Sequence, residues 1–457
     1  MPPAYAEASG FFLHCPSSFM TLTLPHHCTP LWLPPCTRVA SLLAAGLLAS
    51  LPGTGAAQSL QQAVQKALTD YPSVSAARYQ SEAAQADIAR ARAAHWPQLS
   101  WSARYASHPL AGSTERWFQT PNLSLNLWSG GRIQSDVERA QALALASQKQ
   151  QHITRDEVAL LSTEAYLQWA HQQSMLTLAQ DNLAQHASIL NDFEKIAQVD
   201  TGRRIDLDQA RVRHDNARLI QLKTLTELDA AAQRLARLLM APLPAEPVGL
   251  DFALPTRHAD LAQAQQDLHD QHPVLAQWLA QRDAALASVR YARAQSAPTL
   301  NLTHSKLATN GVDEGRFVTQ LQLNLPLLDG GSAQGAEEAA LARAQVIESQ
   351  LQEARLVLQE QLAIAWSDWQ SAITRAELGQ QQTLTAQQLA TGYAQQFRVG
   401  RRALLDLLNI QSDLYTYQSA ALTASHEART AQARVLATLG QLADAFAVSP
   451  DTPITPR

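Results

Sequence analysis

The sequence predicts a mainly α protein with a small β part, in which one helix–strand–strand–helix plan occurs twice. Two observations carry that expectation. Between positions 58 and 447 alanine, glutamine, leucine and arginine dominate, and the 457 residues hold only 18 glycines, a composition suited to long helices. The chain also repeats itself. YPSVSAARYQSEAAQADIARARAAHWPQLS, from Tyr71, corresponds to HPVLAQWLAQRDAALASVRYARAQSAPTLN, from His272; Pro72 and Pro273 lie 201 positions apart, as do Pro97 and Pro298.

The amino-terminal stretch stands outside the repeat. VASLLAAGLLASL, Val39 to Leu51, follows Arg38 and precedes PGTGAAQS, the basic, apolar and small-residue order of a secretory signal peptide. Its apolar core is shorter than the about 20 residues of a membrane-spanning helix. The expected signal peptide is 1–57, cleaved after Ala57 or alternatively Ala56, with Met20 a second candidate start. All three cysteines, Cys15, Cys28 and Cys36, precede that cut, so the mature chain is expected to lack a disulfide, a thiolate metal site and a cysteine nucleophile. None follows the apolar core as a lipid-anchor cysteine would. No later apolar run reaches 18 residues, so a membrane crossing would have to use strands.

Each copy begins with a helix opened by a proline, Pro72 or Pro273, at a position that tolerates the missing donor. Pro97 and Pro298 stop those helices and open extended runs. Strands are expected at about 97–108 and 116–128, then at 298–309 and 315–328. Leu123, Leu125 and Leu127 alternate with polar residues, as do Leu321, Leu323 and Leu325, and each series leads to a double glycine. The proline-free stretches that follow predict long helices at 131–199 and 332–398; roughly 68 helical residues span about 100 Å. Apolar residues recur at sevens only in pieces (Leu176, Leu183, Leu190; Leu351, Leu358; Leu408, Tyr415, Leu422), which suggests coiled-coil-like packing with stutters. Gly202-Arg203-Arg204 and Gly400-Arg401-Arg402 break the pattern before second helices at 203–240 and 402–446, so each copy, 58–241 and 257–447, should form an antiparallel hairpin. The linker is expected at 242–256 and a flexible tail at 448–457.

Four strands cannot close a barrel, for which about eight is the smallest filled case, and open edges are not tolerated against lipid. Either the strands form a small soluble sheet or several subunits pool them: two copies would supply eight strands, three would supply twelve. Trp96, Trp101, Trp117 and Trp128 cluster around the first strand pair, which favours a membrane interface over a soluble core.

The signal peptide, the duplicated order, the double glycines and the paired G-R-R elements together resemble the TolC-like outer-membrane channel family, over nearly the whole mature chain. FRVGRRALLDLLNIQ, Phe397 to Gln411, is similar to that family's motif at the inner end of the second hairpin, especially in members serving type I secretion. The resemblance implies a homotrimer in which a twelve-stranded barrel in outer-membrane lipid continues as a twelve-helix tunnel, an α-barrel, across the periplasm. It implies as partners a periplasmic adaptor and an inner-membrane transporter of ABC type. The expected function is therefore the channel of a tripartite export machine for type I protein secretion, with small-molecule efflux the alternative.

The resemblance also gives roles to the tip. In isolation the leucines around Asp406 read as core and the acid as solvent-facing. In the family an aromatic and an arginine help hold the closed state, matching Phe397 and Arg402, and two acids one turn apart narrow the pore, matching Asp406 and Asn409. Phe397 lacks the hydroxyl of the usual tyrosine, and Asn409 carries no charge. Asp206 corresponds to the acid of the first tip, where the segment between Gly-Arg-Arg and the acid is two residues shorter; Ile205 before it cannot donate a hydroxyl bond. Gly202, Arg203, Arg204, Gly400 and Arg401 make the two turns.

Other functions find little support. A net charge of −5 does not recommend nucleic acid. A periplasmic adaptor would have one hairpin between β-rich halves. For an enzyme, His152, His171 and His186 fall on a helix face expected to be exposed, at spacings useless for one metal; HEARTAQ at His426 is not HExxH; SLPGTG lacks the Lys-Ser/Thr pair of a phosphate loop. No cofactor or metal is expected.

Overall fold

The structure is a computed structural model describing residues 59–105, 117–243, 260–268, 272–309 and 312–447. The expected signal peptide, most of the linker and the tail lie outside the described residues. Helices α1 (Leu60–Asp70) and α2 (Pro72–Ala93) lead into strands β1 (Gln98–Tyr105) and β2 (Trp117–Trp128), then helices α3 (Arg132–Val199) and α4 (Arg204–Leu239). The order recurs as α5 (Leu261–Asp267), α6 (Pro273–Arg293), β3 (Thr299–Thr309), β4 (Val312–Asn324), α7 (Ser332–Arg398) and α8 (Leu404–Thr438), closed by α9 (Leu442–Ala447). The mainly α class with a small β part is borne out.

Local chemistry sets the boundaries. Ser59 and Gln62 form a reciprocal capping box at α1, and Pro72 and Pro273 stand in the first turns of α2 and α6. Gly131 and Gly331, at φ 89° and 86°, turn the chain from strand into α3 and α7 in a left-handed conformation that suits glycine. The Asp329 carboxylate accepts from Gly331 N–H at 3.0 Å and Ala333 N–H at 2.8 Å, and these bonds hold its pKa below the ordinary value. Strand β4 starts before and stops short of the expected 315–328. Its ladder ends at Asn324 because Pro326, two residues on, has no N–H to donate.

Helix α3 packs on α4 and α7 on α8, making two hairpins that meet where α3 lies beside α8; α2 and α6 flank α3, and α6 also meets α7. One core gathers Tyr166 and Trp169, edge-on at 5.6 Å and 72°, with Leu235, Leu239, Leu442 and Phe446. A second joins Leu275, Leu351, Leu358, Leu362 and Trp366. The Leu351–Leu358 heptad pair is buried there. Full burial of such a side chain stabilises by roughly 1.5–3 kcal/mol.

The second descending helix, expected unbroken over 402–446, stops at Thr438. Gly440 adopts φ 67°, its N–H bonds Ala437 O at 2.9 Å, and Gln441 N–H bonds Leu436 O at 3.0 Å, the paired bonds of a Schellman motif. A Cβ at Gly440 would lie 2.7 Å from Pro273 Cδ, so only glycine fits this turn without displacement. Beyond it Asp156 on α3 accepts from Ala443 N–H at 2.8 Å and so caps α9.

Burial raises the Asp156 pKa to about 6, with Asp444 adding to the shift. The folded state thus prefers the protonated acid. Stability from this group is full below its unfolded pKa and is lost as pH rises through about 6. Asp156→Asn keeps an acceptor without the charge. It should raise stability by about 1–2 kcal/mol at pH 8, one pKa unit being 1.36 kcal/mol, and the gain should vanish near pH 4 in thermal melts of the detergent-purified protein.

The four strands form one antiparallel sheet in the order β1-β2-β3-β4. Leu99 faces Leu123, Leu125 faces Leu302, Leu302 faces Leu321 and Leu300 faces Leu323, so these side chains share one face with Trp101. On the other face Ser100 and Ser102, Asn122, Ser124 and Asn126, Asn301 and Thr303, and Gln320 and Gln322 stand together, and Asn126 donates to Asn301 at 2.8 Å. Pro121 lies one position outside the pairing of β2 with β3, where its missing N–H costs that ladder nothing. Trp96, Trp101, Trp117 and Trp128 are exposed. Among the described residues no helix is long and apolar enough to cross a membrane.

Candidate functional site

The hairpin ends carry the candidate residues and are built by two different turns. At the second end α7 closes in a Schellman motif: Gly400 at φ 73° bonds Phe397 O, and Arg401 N–H bonds Gln396 O, both at 2.9 Å. Arg401, Arg402 and Ala403 then lead into α8. At the first end Asp200 accepts from Gly202 N–H at 3.0 Å and lies 3.9 Å from Arg203, nucleating a single 3-10 turn, Thr201–Arg203, before α4. The routes differ, yet both deliver an acid to the third residue of the descending helix, Asp206 in α4 and Asp406 in α8. A carboxylate is favoured there by the helix's amino-terminal dipole.

Phe397 lies in an apolar cluster with Phe193, Leu207, Leu404 and Leu408, its ring 5.8 Å from that of Phe193. It joins the two tips through packing, a contact that needs no hydroxyl. Arg402 stacks over Tyr393 at 4.3 Å, donates Nε–H to Gln396 Oε1 at 3.1 Å and brings Nη1 to 3.6 Å from the Asp406 carboxylate. These contacts all lie within the second hairpin. The charge pair is exposed enough to contribute little by itself.

Asn409 is held from the other hairpin. Arg213 on α4 donates Nη2–H to Asn409 Oδ1 at 3.2 Å and Nη1–H to Ser412 Oγ at 3.5 Å. Sequence reasoning missed Arg213 and Tyr393. Tyr393 had a signal, an aromatic one helical turn before Phe397 and facing the same arginine; Arg213 had none, because its partner is 196 positions away.

His152 is exposed as expected, whereas the other two histidines differ from expectation. His186 is buried, with Nδ1 lacking a hydrogen-bond partner, and His171 stacks on His426 at 4.7 Å and 15° where α3 meets α8. Burial lowers all three pKa values, that of His426 to about 4, so the stacked pair is neutral near pH 7. Among the described residues no three His, Cys, Asp or Glu side chains converge to hold a metal.

The family model for outer membrane efflux proteins matches residues 63–240 and 264–441, one match on each copy of the repeat. This chain belongs to that family. It is therefore an outer-membrane channel protein of efflux and secretion systems, extending into the periplasm, and not an enzyme. It is 24% identical over 422 residues to outer membrane efflux protein BepC of Brucella suis, spanning 88% of this chain and 90% of that one. Similarity to alkaline protease secretion protein AprF of Pseudomonas aeruginosa is 26% over 331 residues, 68% of this chain and 67% of the relative. The fold is shared with outer membrane protein VceC of Vibrio cholerae, TM-score 0.72 at 19% identity over 83% of this chain and 96% of that structure.

Proposed function

We propose that three copies of this chain form one outer-membrane channel serving type I protein secretion, with a periplasmic adaptor and an ABC-type inner-membrane transporter as partners. The observation that carries the assembly is the sheet. One apolar and one polar face, with β1 and β4 left as edges, suit a wall between lipid and water that needs further copies to close. Protein cargo is favoured by the FRVGRRALLDLLNIQ tip and by the likeness to AprF. Docking is favoured by Val199, Ile205, Val399 and Leu405, apolar side chains exposed at otherwise polar tips.

In this reading the tips are the gate. Arg402, with Gln396 and Tyr393, stiffens the second turn; Phe397 packs it on the first; Arg213 ties Asn409; Asp406 and Asp206 face the pore. Arg402→Ala removes about 0.5–1 kcal/mol of partly exposed polar contact per subunit. Single-channel conductance in planar bilayers should rise severalfold, and an unaltered value argues against a gating role. For cargo, deleting the gene should remove a protein from the culture medium while sensitivity to small toxic compounds stays as before. The reverse pattern assigns the channel to efflux. Cross-linking from Leu405→Cys should capture the adaptor.

A further inference from the structure

Where the hairpins meet, α3 has α4 on one side and α8 on the other. On α3, Leu161, Glu164 and Gln168 follow one another at intervals of three and four. They share a face that turns away from Tyr166 and Trp169 in the core with α1 and α9. Over that face α4 and α8 leave a cavity of about 330 Å³. Arg234 and Arg237 from α4 and Arg434 from α8 line it, with Glu164 and Gln168 between them. Three guanidinium groups against one carboxylate leave two positive charges, because His426 on the same wall is neutral near pH 7. Leu161, Ala165 and Leu238 supply apolar lining, which limits the screening that water provides.

The donors of this cavity are largely unpaired. Among the described residues the Arg234 guanidinium has neither a hydrogen bond nor an ion pair, and the Gln168 carboxamide has no hydrogen bond. Arg237 uses one N–H on the Tyr71 hydroxyl at 2.9 Å. Arg434 uses Nε on the Glu164 carboxylate at 2.7 Å, which leaves both of its Nη groups. Helix dipoles do not account for the set. Only Arg237 stands in the last turn of its helix; Arg234 and Arg434 come earlier.

We propose that this cavity binds a multivalent oxyanion, of the pyrophosphate or polycarboxylate class, held between Arg234 on α4 and Arg434 on α8. A guanidinium fork matches the paired oxygens of either group and holds them by two parallel bonds. Gln168 adds a donor from α3, between the two arginines. A single chloride answers only one of the two positive charges, whereas a molecule with two acidic groups answers both. Glu164 repels an anion from its own side of the cavity and so directs it toward Arg234. Few direct contacts join α4 to α8, so an occupant that spans them ties the first hairpin to the second. The site is complete within one chain and is independent of the number of copies in the assembly.

The test is calorimetric titration of the full-length protein in detergent with sodium pyrophosphate, and separately with citrate, at ionic strength held constant with sodium chloride. One saturable site per chain is expected. Arg234→Gln and Arg434→Gln should each weaken binding by about tenfold or more. Arg234→Lys keeps the charge without the fork and should recover only part of the loss. Arg78→Gln, an exposed arginine outside the cavity, should bind as the unaltered protein does. Because Arg234 has no partner to lose, Arg234→Gln should melt at the unaltered temperature when no oxyanion is present. Pyrophosphate should raise the melting temperature of the unaltered protein and leave that of Arg234→Gln where it was. Binding of pyrophosphate but not citrate assigns the site to phosphate groups, and the reverse to carboxylates. No saturable binding of either probe overturns the proposal. So does binding that neither cavity substitution weakens, or an equal loss in Arg78→Gln, which would mark a general response to charge.

Discussion

Asp406→Ala should weaken block of the reconstituted channel by trivalent cations by about tenfold or more. In a ring of three copies one Asp406 from each surrounds a single axis. Like charges held together bind multivalent cations more strongly than one carboxylate does. Two unit charges 4 Å apart in water interact by about 1 kcal/mol, so three cooperating carboxylates readily supply the about 1.4 kcal/mol that a tenfold change represents. Two local features moderate the effect. Arg402 lies 3.6 Å from the carboxylate and neutralises part of its field, and Asn409 one turn on adds no charge. Arg402→Ala should accordingly tighten cation block while loosening the tip, and the double variant separates the two. Block unchanged in Asp406→Ala would take that residue out of the pore.

Gly130→Val should destabilise the protein by about 3 kcal/mol or more. Two costs coincide. The backbone at φ 62° is left-handed, a conformation that a β-branched residue rarely adopts, and the new Cβ would stand 2.2 Å from Ala297 Cβ. Relief requires moving the start of β3, which is also the seam between the two copies of the repeat. Gly331→Ala is the matched control within one chain: φ is 86°, but nothing lies within 4 Å of its Cβ position. Thermal unfolding in detergent should show a large drop for Gly130→Val and a drop of about 1 kcal/mol for Gly331→Ala, the left-handed cost alone. Equal losses would mean that packing at the seam is unimportant.

The fold was legible because the repeat reports it twice: prolines, double glycines and alternating leucines recur at nearly constant spacing, so no single weak signal had to stand alone. Turn geometry was less legible. Gly202 and Gly400 sit in similar Gly-Arg-Arg triplets, yet only Gly400 is left-handed, because Asp200 supplies the first tip with a side-chain acceptor that replaces the Schellman bonds. Gly440 passed for an interior helix glycine, and its role depends on Pro273 pressing from another element. In the candidate site, the residues named from the tip motif were local in sequence. Arg213, which ties Asn409, and His426, which stacks on His171, act through partners on other helices, and no spacing along one helix points to them.

The sheet's polar face is made of hydroxyls and carboxamides from Ser100 and Ser102 across to Gln320 and Gln322. Such groups keep a passage wetted without imposing a strong field on what travels through it. The outermost segment would then be an indifferent exit, passing solutes of either sign alike. Any sorting by charge would fall to the opposite end of the molecule, some 100 Å of helix away.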